Sequence, residues 1–275
     1  MPENIASLVE KLSYSEVLGR AAKLARLLED LGVPWEAWQW PIDDLAFRAR
    51  LANYWRARGD IFAPYGIARL VLGDDLITPE EITDKRKSEP KEEGQEVVPL
   101  VYAPDQLVCF RRTLEALPLD YLKWLVEHNY VLVAGPPEPK NLLGVRELDA
   151  SLFRSQQGGW YAGDEQKFSR DELAEAVWHA IRKDHVPNST SKPYDKQCGL
   201  LLPEEQVPTA VKVAWVDTTY AKVRGVCLHN NIWVRTSSVT ADRGRVYVRS
   251  RSDGFSVSYG TDDSASSDIG VSASR

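Results

Sequence analysis

Residues 244–274 read GRVYVRSRSDGFSVSYGTDDSASSDIGVSAS, and the rest of the chain is best understood outward from them. Val246 and Val248, then Phe255 and Val257, recur at every second position with Tyr, Arg and Ser between them. That is the period of a strand with one buried face. Asp253-Gly254 separates the two runs and predicts a hairpin of residues 245–251 and 254–259. Ile269 and Val271 extend the apolar frame. The segment holds no Lys, Glu, Gln, Met or Trp, in a chain with 9 Trp and 27% charged residues. Fixed apolar positions carrying small polar and aromatic residues between them suit a binding surface on a rigid scaffold.

Upstream, residues 211–216, 221–228 and 232–236 read as strands. Ser169-Arg-Asp-Glu172 has the spacing of a capping box and predicts a helix over 169–183, through Leu173, Val177, Trp178 and Ile181. Residues 184–201 read as a loop with PNSTSKP in its middle. Residues 130–134 (YVLVA) fit a buried strand closed by Gly135-Pro136-Pro137, residues 119–128 a helix, and residues 97–102 a short strand. The expected fold class of residues 97–275 is therefore α+β.

Residues 78–96, TPEEITDKRKSEPKEEGQE, are charged and almost free of apolar residues, which predicts a linker or exposed loop. Residues 1–77 form the expected helical N-terminal region. Ser15 precedes an apolar pattern at helical spacing that ends at Gly32, and residues 43–58 repeat the pattern up to Gly59. Trp35, Trp38 and Trp40 between them are expected in the core of that small region, with a partner-binding patch as the alternative.

The chain has 275 residues, 43% of them hydrophobic, and a net charge of -6. This balance lacks the basic stripe of a phosphate-backbone binder, so no nucleic-acid partner is expected. No stretch has the length and apolarity of a membrane span, and Met1 to Leu12 lack a signal pattern. The cytoplasm is the expected compartment, with export left open.

Standard catalytic signatures, such as a P-loop, GxSxG or HExxH, are missing. Cys109, Cys198 and Cys227 are far apart and in no CxxC arrangement, which speaks for buried thiols rather than zinc or disulfides. His128, His179, His185 and His229 are scattered. Asp253, Asp262, Asp263 and Asp268 offer carboxylates for calcium, but their spacing fits no EF-hand loop, and Asp in Gly/Ser-rich turns usually caps the backbone. The expectation is no enzyme, no metal and no cofactor.

The missing residue types have a common cause. Random substitution of the adenines in an AAC codon yields Ser, Thr, Tyr, Asp, Gly, Arg, Ala, Val, Ile and Phe. It never yields Lys, Glu, Gln, Met, Trp or a stop codon, because the terminal pyrimidine is kept. Residues 97–275 resemble the variable proteins of diversity-generating retroelements, in which a reverse transcriptase copies a template into the gene's 3′ end with adenine-directed substitution. The resemblance rests on VRTSSV (234–239), GRVYV (244–248), the DGF turn, Asp262-Asp263 and the closing DIGVSASR. It covers about two thirds of the chain.

The resemblance implies a C-type lectin-like fold, of the kind shared with formylglycine-generating enzymes, displaying a hypervariable region at about residues 244–275. The paired catalytic Cys of the enzyme relatives is not evident, and the EPN, QPD and WND motifs of calcium lectins are absent. A calcium-dependent lectin or an enzyme on the same fold is the alternative. The implied partner is an unknown macromolecular target of the variable site, expected to be a protein, and a separate partner for the helical N-terminal region stays open.

Strand parity places Tyr247, Arg249, Arg251, Ser256 and Ser258 on the face opposite Val246, Val248, Phe255 and Val257. Ser250, Ser252, Tyr259, Gly260, Thr261, Ser264, Ala265, Ser266 and Ser267 flank turns, where parity need not hold. Together these positions are expected to be accessible and to form one patch, with Tyr259 on the Phe255 parity as a candidate core residue instead.

Overall fold

The computed structural model describes residues 65–87, 100–155 and 157–275. The chain divides into two compact units, residues 1–70 and 71–275. The helices expected over 15–32 and 43–58, and the Trp35, Trp38 and Trp40 group, lie outside the described residues.

The C-terminal unit is mixed α+β, with two small sheets. Its helices, after α1 (Gly66–Leu72), are α2 (Pro79–Lys87), α3 (Pro104–Glu115), α4 (Leu119–Glu127), α5 (Leu142–Leu148), α6 (Phe168–Asp171), α7 (Tyr194–Cys198) and α8 (Ala210–Arg224). The first sheet has the order β1 (Leu76–Ile77), β2 (Tyr130–Ala134), β3 (Trp178–Arg182), parallel then antiparallel. The second runs β6 (Gly254–Gly260), β5 (Arg245–Arg251), β4 (Trp233–Val239), β7 (Ile269–Val271), with β7 parallel to β4. The sheets are linked by the last residues, because Arg182 N donates to Ala273 O at 3.0 Å and Ser274 bridges Ile181.

α8 is the centre of the unit and packs against strands of both sheets. The sequence expectation of strands at 211–216 and 221–228 is corrected here, since one continuous helix replaces the first and the first half of the second. Thr209 caps its N-terminus by accepting from Lys212 N at 3.4 Å, and Gly225 closes it in the left-handed conformation at φ 71°. A helix buried on nearly every side has no polar face to reveal its period, and Val, Thr, Trp and Tyr then imitate a strand. Trp215, fully buried, donates from Nε1 to Ala134 O at 2.9 Å and so ties the helix to β2.

The expected helix over 169–183 is also corrected. Only α6 is helical, Glu172 is already extended, and residues 178–182 form β3. The Ser169 hydroxyl donates to Gln166 O at 2.8 Å instead of capping a following turn. The Glu172 carboxylate accepts from the Ser238 hydroxyl, so neither half of the box acts on its own helix. β2 is buried throughout and needs a partner on each edge; WHAIR supplies one, pairing Leu132 with Ala180.

The segment expected as a linker starts as helix α2, and residues 88–99 lie outside the described set. Thr78 and Glu81 make the reciprocal capping bonds, Thr78 N to Glu81 Oε2 at 3.0 Å and Glu81 N to Thr78 Oγ1 at 3.4 Å. Glu80 and Glu81 open the helix and Lys85, Arg86 and Lys87 close it, which matches its dipole; Ile82 is its buried anchor. Leu100, Val101 and Tyr102 join no strand, contrary to expectation. The helix over 119–127, the strand over 130–134 and the hairpin are as expected.

Burial of His179 on β3 pulls its pKa from an ordinary 6.5 down to about 4, against the opposing hydrogen bond from Nε2 to Glu175 O. The unfolded chain therefore takes up a proton near pH 6.5 that the native protein refuses until about pH 4. This contribution to stability is present above that window and is lost as pH falls through it. His179→Gln is expected to flatten the profile there, measured as urea midpoints across the same range. An unchanged slope would remove His179 as its cause.

Candidate binding surface

The hairpin pairs seven residues without a break, from Arg245 with Gly260 to Arg251 with Gly254. Its tip is Ser252-Asp253, and Gly254 at φ 112° opens β6. A Cβ on Gly254 would lie 2.6 Å from Arg154 N, so the turn has room for glycine alone where it meets Phe153 and Arg154. The unbroken register decides the faces. Val246, Val248 and Ser250 share the inner face with Tyr259, Val257 and Phe255, while Tyr247, Arg249 and Arg251 share the outer face with Ser258, Ser256 and Gly254.

One sequence expectation fails on that register, that of Ser250, while Tyr259 is accessible as expected but on the other face. Ser250, 3% exposed, faces inward opposite Phe255, and Tyr259 faces inward opposite Val246. Tyr259 nevertheless stays 44% exposed at the margin, its ring 4.5 Å from that of Trp160. Arg249 and Ser256 lie on the outer face as expected but are buried rather than accessible, each 9% exposed. Tyr247 and Ser258 are half-buried there, and Arg251 and Ser252 are exposed. Thr261, Ala265 and Ser267 are exposed, with Gly260, Ser264 and Ser266 half-buried.

Trp233 and Arg235 on β4 belong to the same outer face, Arg235 pairing with Tyr247. Neither was read as a site residue from the sequence. The signal was there: Trp233 and Arg235 alternate with Val234 and Thr236 as Tyr247 and Arg249 do with their valines.

Arg235 is 1% exposed, and its terminal nitrogens make four hydrogen bonds while its Nε makes none. It donates to Lys192 O at 3.1 Å, Gln197 Oε1 at 2.8 Å, Ser264 O at 2.5 Å and Thr261 O at 3.4 Å. The loop that returns from β6 to β7 therefore crosses this face together with α7. Arg245 reinforces the arrangement by pairing with Asp262 at 2.9 Å and lying 3.9 Å over the Tyr194 ring. Arg235→Ala is expected to leave the sheets intact and to loosen both segments. The reporters are the Ser191 and Tyr194 amides, which donate to Ser266 O and Asp262 O at 2.8 Å each. Their hydrogen exchange should accelerate at least about tenfold, since bonds from a charged group contribute about 1.5–3 kcal/mol. Unchanged exchange at both would deny Arg235 this role.

Beside the covered half lies an aromatic and cationic group. The Trp233 and Tyr247 rings meet edge to face at 5.2 Å, and the Arg249 guanidinium lies 4.2 Å over Trp233. Burial, and then the neighbouring Arg251, pull the Arg249 pKa below its usual value.

Three of the four aspartates weighed for calcium are engaged by other side chains, and Asp263 is exposed. Asp262 is held by Arg245, Asp253 lies 3.7 Å from Arg154, and Asp268 accepts from the Ser266 hydroxyl. Among the described residues no three His, Cys, Asp or Glu side chains gather as a metal site. Cys109 is exposed, and Cys198 and Cys227 are half-buried rather than in the core. His229 forms an ion pair with Asp217 at 3.0 Å, and both side chains are fully enclosed, out of reach of any substrate.

No family model, characterised protein or solved structure matches this chain. Among the described residues no helix is long and apolar enough to cross a membrane.

Proposed function

We propose that this chain is a binding protein whose outer hairpin face and adjoining loop form a diversified recognition surface for a macromolecular target, a protein in the first instance. On this reading it is a variable protein of a diversity-generating retroelement with a C-type lectin-like C-terminal domain, and it binds rather than catalyses. The observation that carries the proposal is a division of labour in residues 244–274. Val246, Val248, Phe255, Ile269 and Val271 are buried, while the exposed and half-buried positions between them hold residue types reachable from an adenine-rich codon. Tyr247, Arg251, Ser252, Ser258 and the loop residues Thr261, Ser264 and Ala265 are the proposed variable contacts. Tyr and Arg bring area and hydrogen bonding at modest ordering cost, and Ser and Gly bring adaptable contacts.

The test is genetic. The neighbourhood of the gene should contain a reverse transcriptase and a near-copy of the 3′ end that differs from it at adenines. A neighbourhood with neither removes the diversification reading. The candidate codons should also end in a pyrimidine.

A further inference from the structure

Four arginines line the outer face, Arg235, Arg245, Arg249 and Arg251, and the three that are buried or half-buried differ in how they are satisfied. Arg245 has a carboxylate and Arg235 has carbonyls. Arg249 has neither. It is nine-tenths buried, its Nε is sealed without a hydrogen-bond partner as that of Arg235 is, and its guanidinium lies 4.2 Å over the Trp233 ring. The acidic residues whose charge reaches it are both engaged elsewhere, Asp253 beside Arg154 and Asp268 by Ser266. Arg251, exposed two residues along the same face, adds a second positive charge. A nearly buried cation with no carboxylate in contact is costly, which makes it a candidate for neutralisation by a ligand.

The chemistry of that ligand follows from the geometry. Stacking on an indole fixes the plane of a guanidinium and leaves its terminal N–H groups as a fork, which matches the two oxygens of a carboxylate. Ser256, paired directly across from Arg249, adds a hydroxyl group to the same face. A polyanion is disfavoured, because of the two arginines whose charge reaches Arg249, Arg251 and Arg154, the second lies 3.7 Å from Asp253, and the whole chain carries a net charge of -6.

We propose that Arg249, seated on Trp233, is the anchor of a carboxylate subsite that receives an aspartate or glutamate side chain of a protein partner. The proposal rests on the reading of this face as the binding surface and names the chemistry that this variant selects.

The test uses the full chain and a single-carboxylate probe, N-acetylglutamic acid α-amide, followed by NMR at the Trp233 indole N–H, assigned by its loss in Trp233→Phe. A saturable shift is expected with this probe and not with N-acetylglutamine amide or inorganic phosphate. It should vanish in Arg249→Gln, weaken at least fivefold in Arg249→Lys, and weaken only two- to threefold in Arg251→Gln. Melting curves of the variants must match the unsubstituted protein, which separates a lost ligand from a lost fold. No shift, an equal shift with the glutamine probe, a shift with phosphate alone, or a shift that survives Arg249→Gln each overturns the subsite. A failed titration leaves the genetic test of diversification untouched, and an absent reverse transcriptase leaves a positive titration standing, so the two readings fail separately.

Discussion

Trp215→Ala is expected to remove most of the stability of the C-terminal unit. The side chain is completely enclosed on α8, between the two sheets. Truncating a buried Trp to Ala costs about 3–5 kcal/mol through lost transfer energy and the cavity left behind. The loss also strands Ala134 O, the acceptor of the indole N–H at 2.9 Å, and an orphaned buried acceptor adds about 1–3 kcal/mol. Against the roughly 5–15 kcal/mol that holds a typical domain folded, little remains. Trp215→Phe keeps most of the volume and loses mainly the hydrogen bond, so it should fall well short of the alanine loss. Urea denaturation of both variants is the check. An alanine variant within about 1 kcal/mol of the parent would mean that α8 is not the element joining the sheets.

Phe255→Ala is expected to be nearly as damaging, and its contrast with a neighbour three residues away matters most. Phe255 is 2% exposed and its ring meets that of Phe153 edge-on at 5.4 Å, where the hairpin tip docks. Its loss should cost about 3–5 kcal/mol. Ser258→Arg, on the outer face, should stay within roughly 0.5 kcal/mol. Ser250→Tyr belongs with the frame despite its polarity, since it would force a ring into the inner face opposite Phe255; about 1–3 kcal/mol is expected from overpacking. Calorimetric melting of the three variants orders them. If Ser258→Arg melts as low as Phe255→Ala, the outer face is not a display surface.

The sequence was most legible where its period matched its burial. YVLVA and the Val246, Val248, Phe255 and Val257 alternation gave strands, because each apolar residue had one consistent environment. It was least legible in α8, where Asp217, Thr218 and Thr219 are buried alongside Val and Trp and leave no polar stripe to count. Residues 178–182 misled for a different reason. A capping box is a local signal, and the unpaired edge of β2 outweighed it. At the site, Tyr247, Arg251 and Ser258 followed from strand parity. Ser250 did not, because parity was relaxed near the turns while the ladder runs unbroken to both ends of the hairpin, and Tyr259 lies on the Phe255 parity yet stays 44% exposed at the margin. Arg235 was hidden by its own charge, which reads as surface until the carbonyls that surround it are seen.

Three of the four acceptors of Arg235 are main-chain oxygens, those of Lys192, Thr261 and Ser264. The loop's own anchors are main-chain too, Ser191 N to Ser266 O and Tyr194 N to Asp262 O. Every amino acid brings a carbonyl, whatever side chain it carries. Mutation at positions 261, 264 and 266 can therefore rewrite what the loop says without changing where it sits. Shape and chemistry would then be inherited separately, because a single arginine outside the loop holds it through groups that no loop substitution removes.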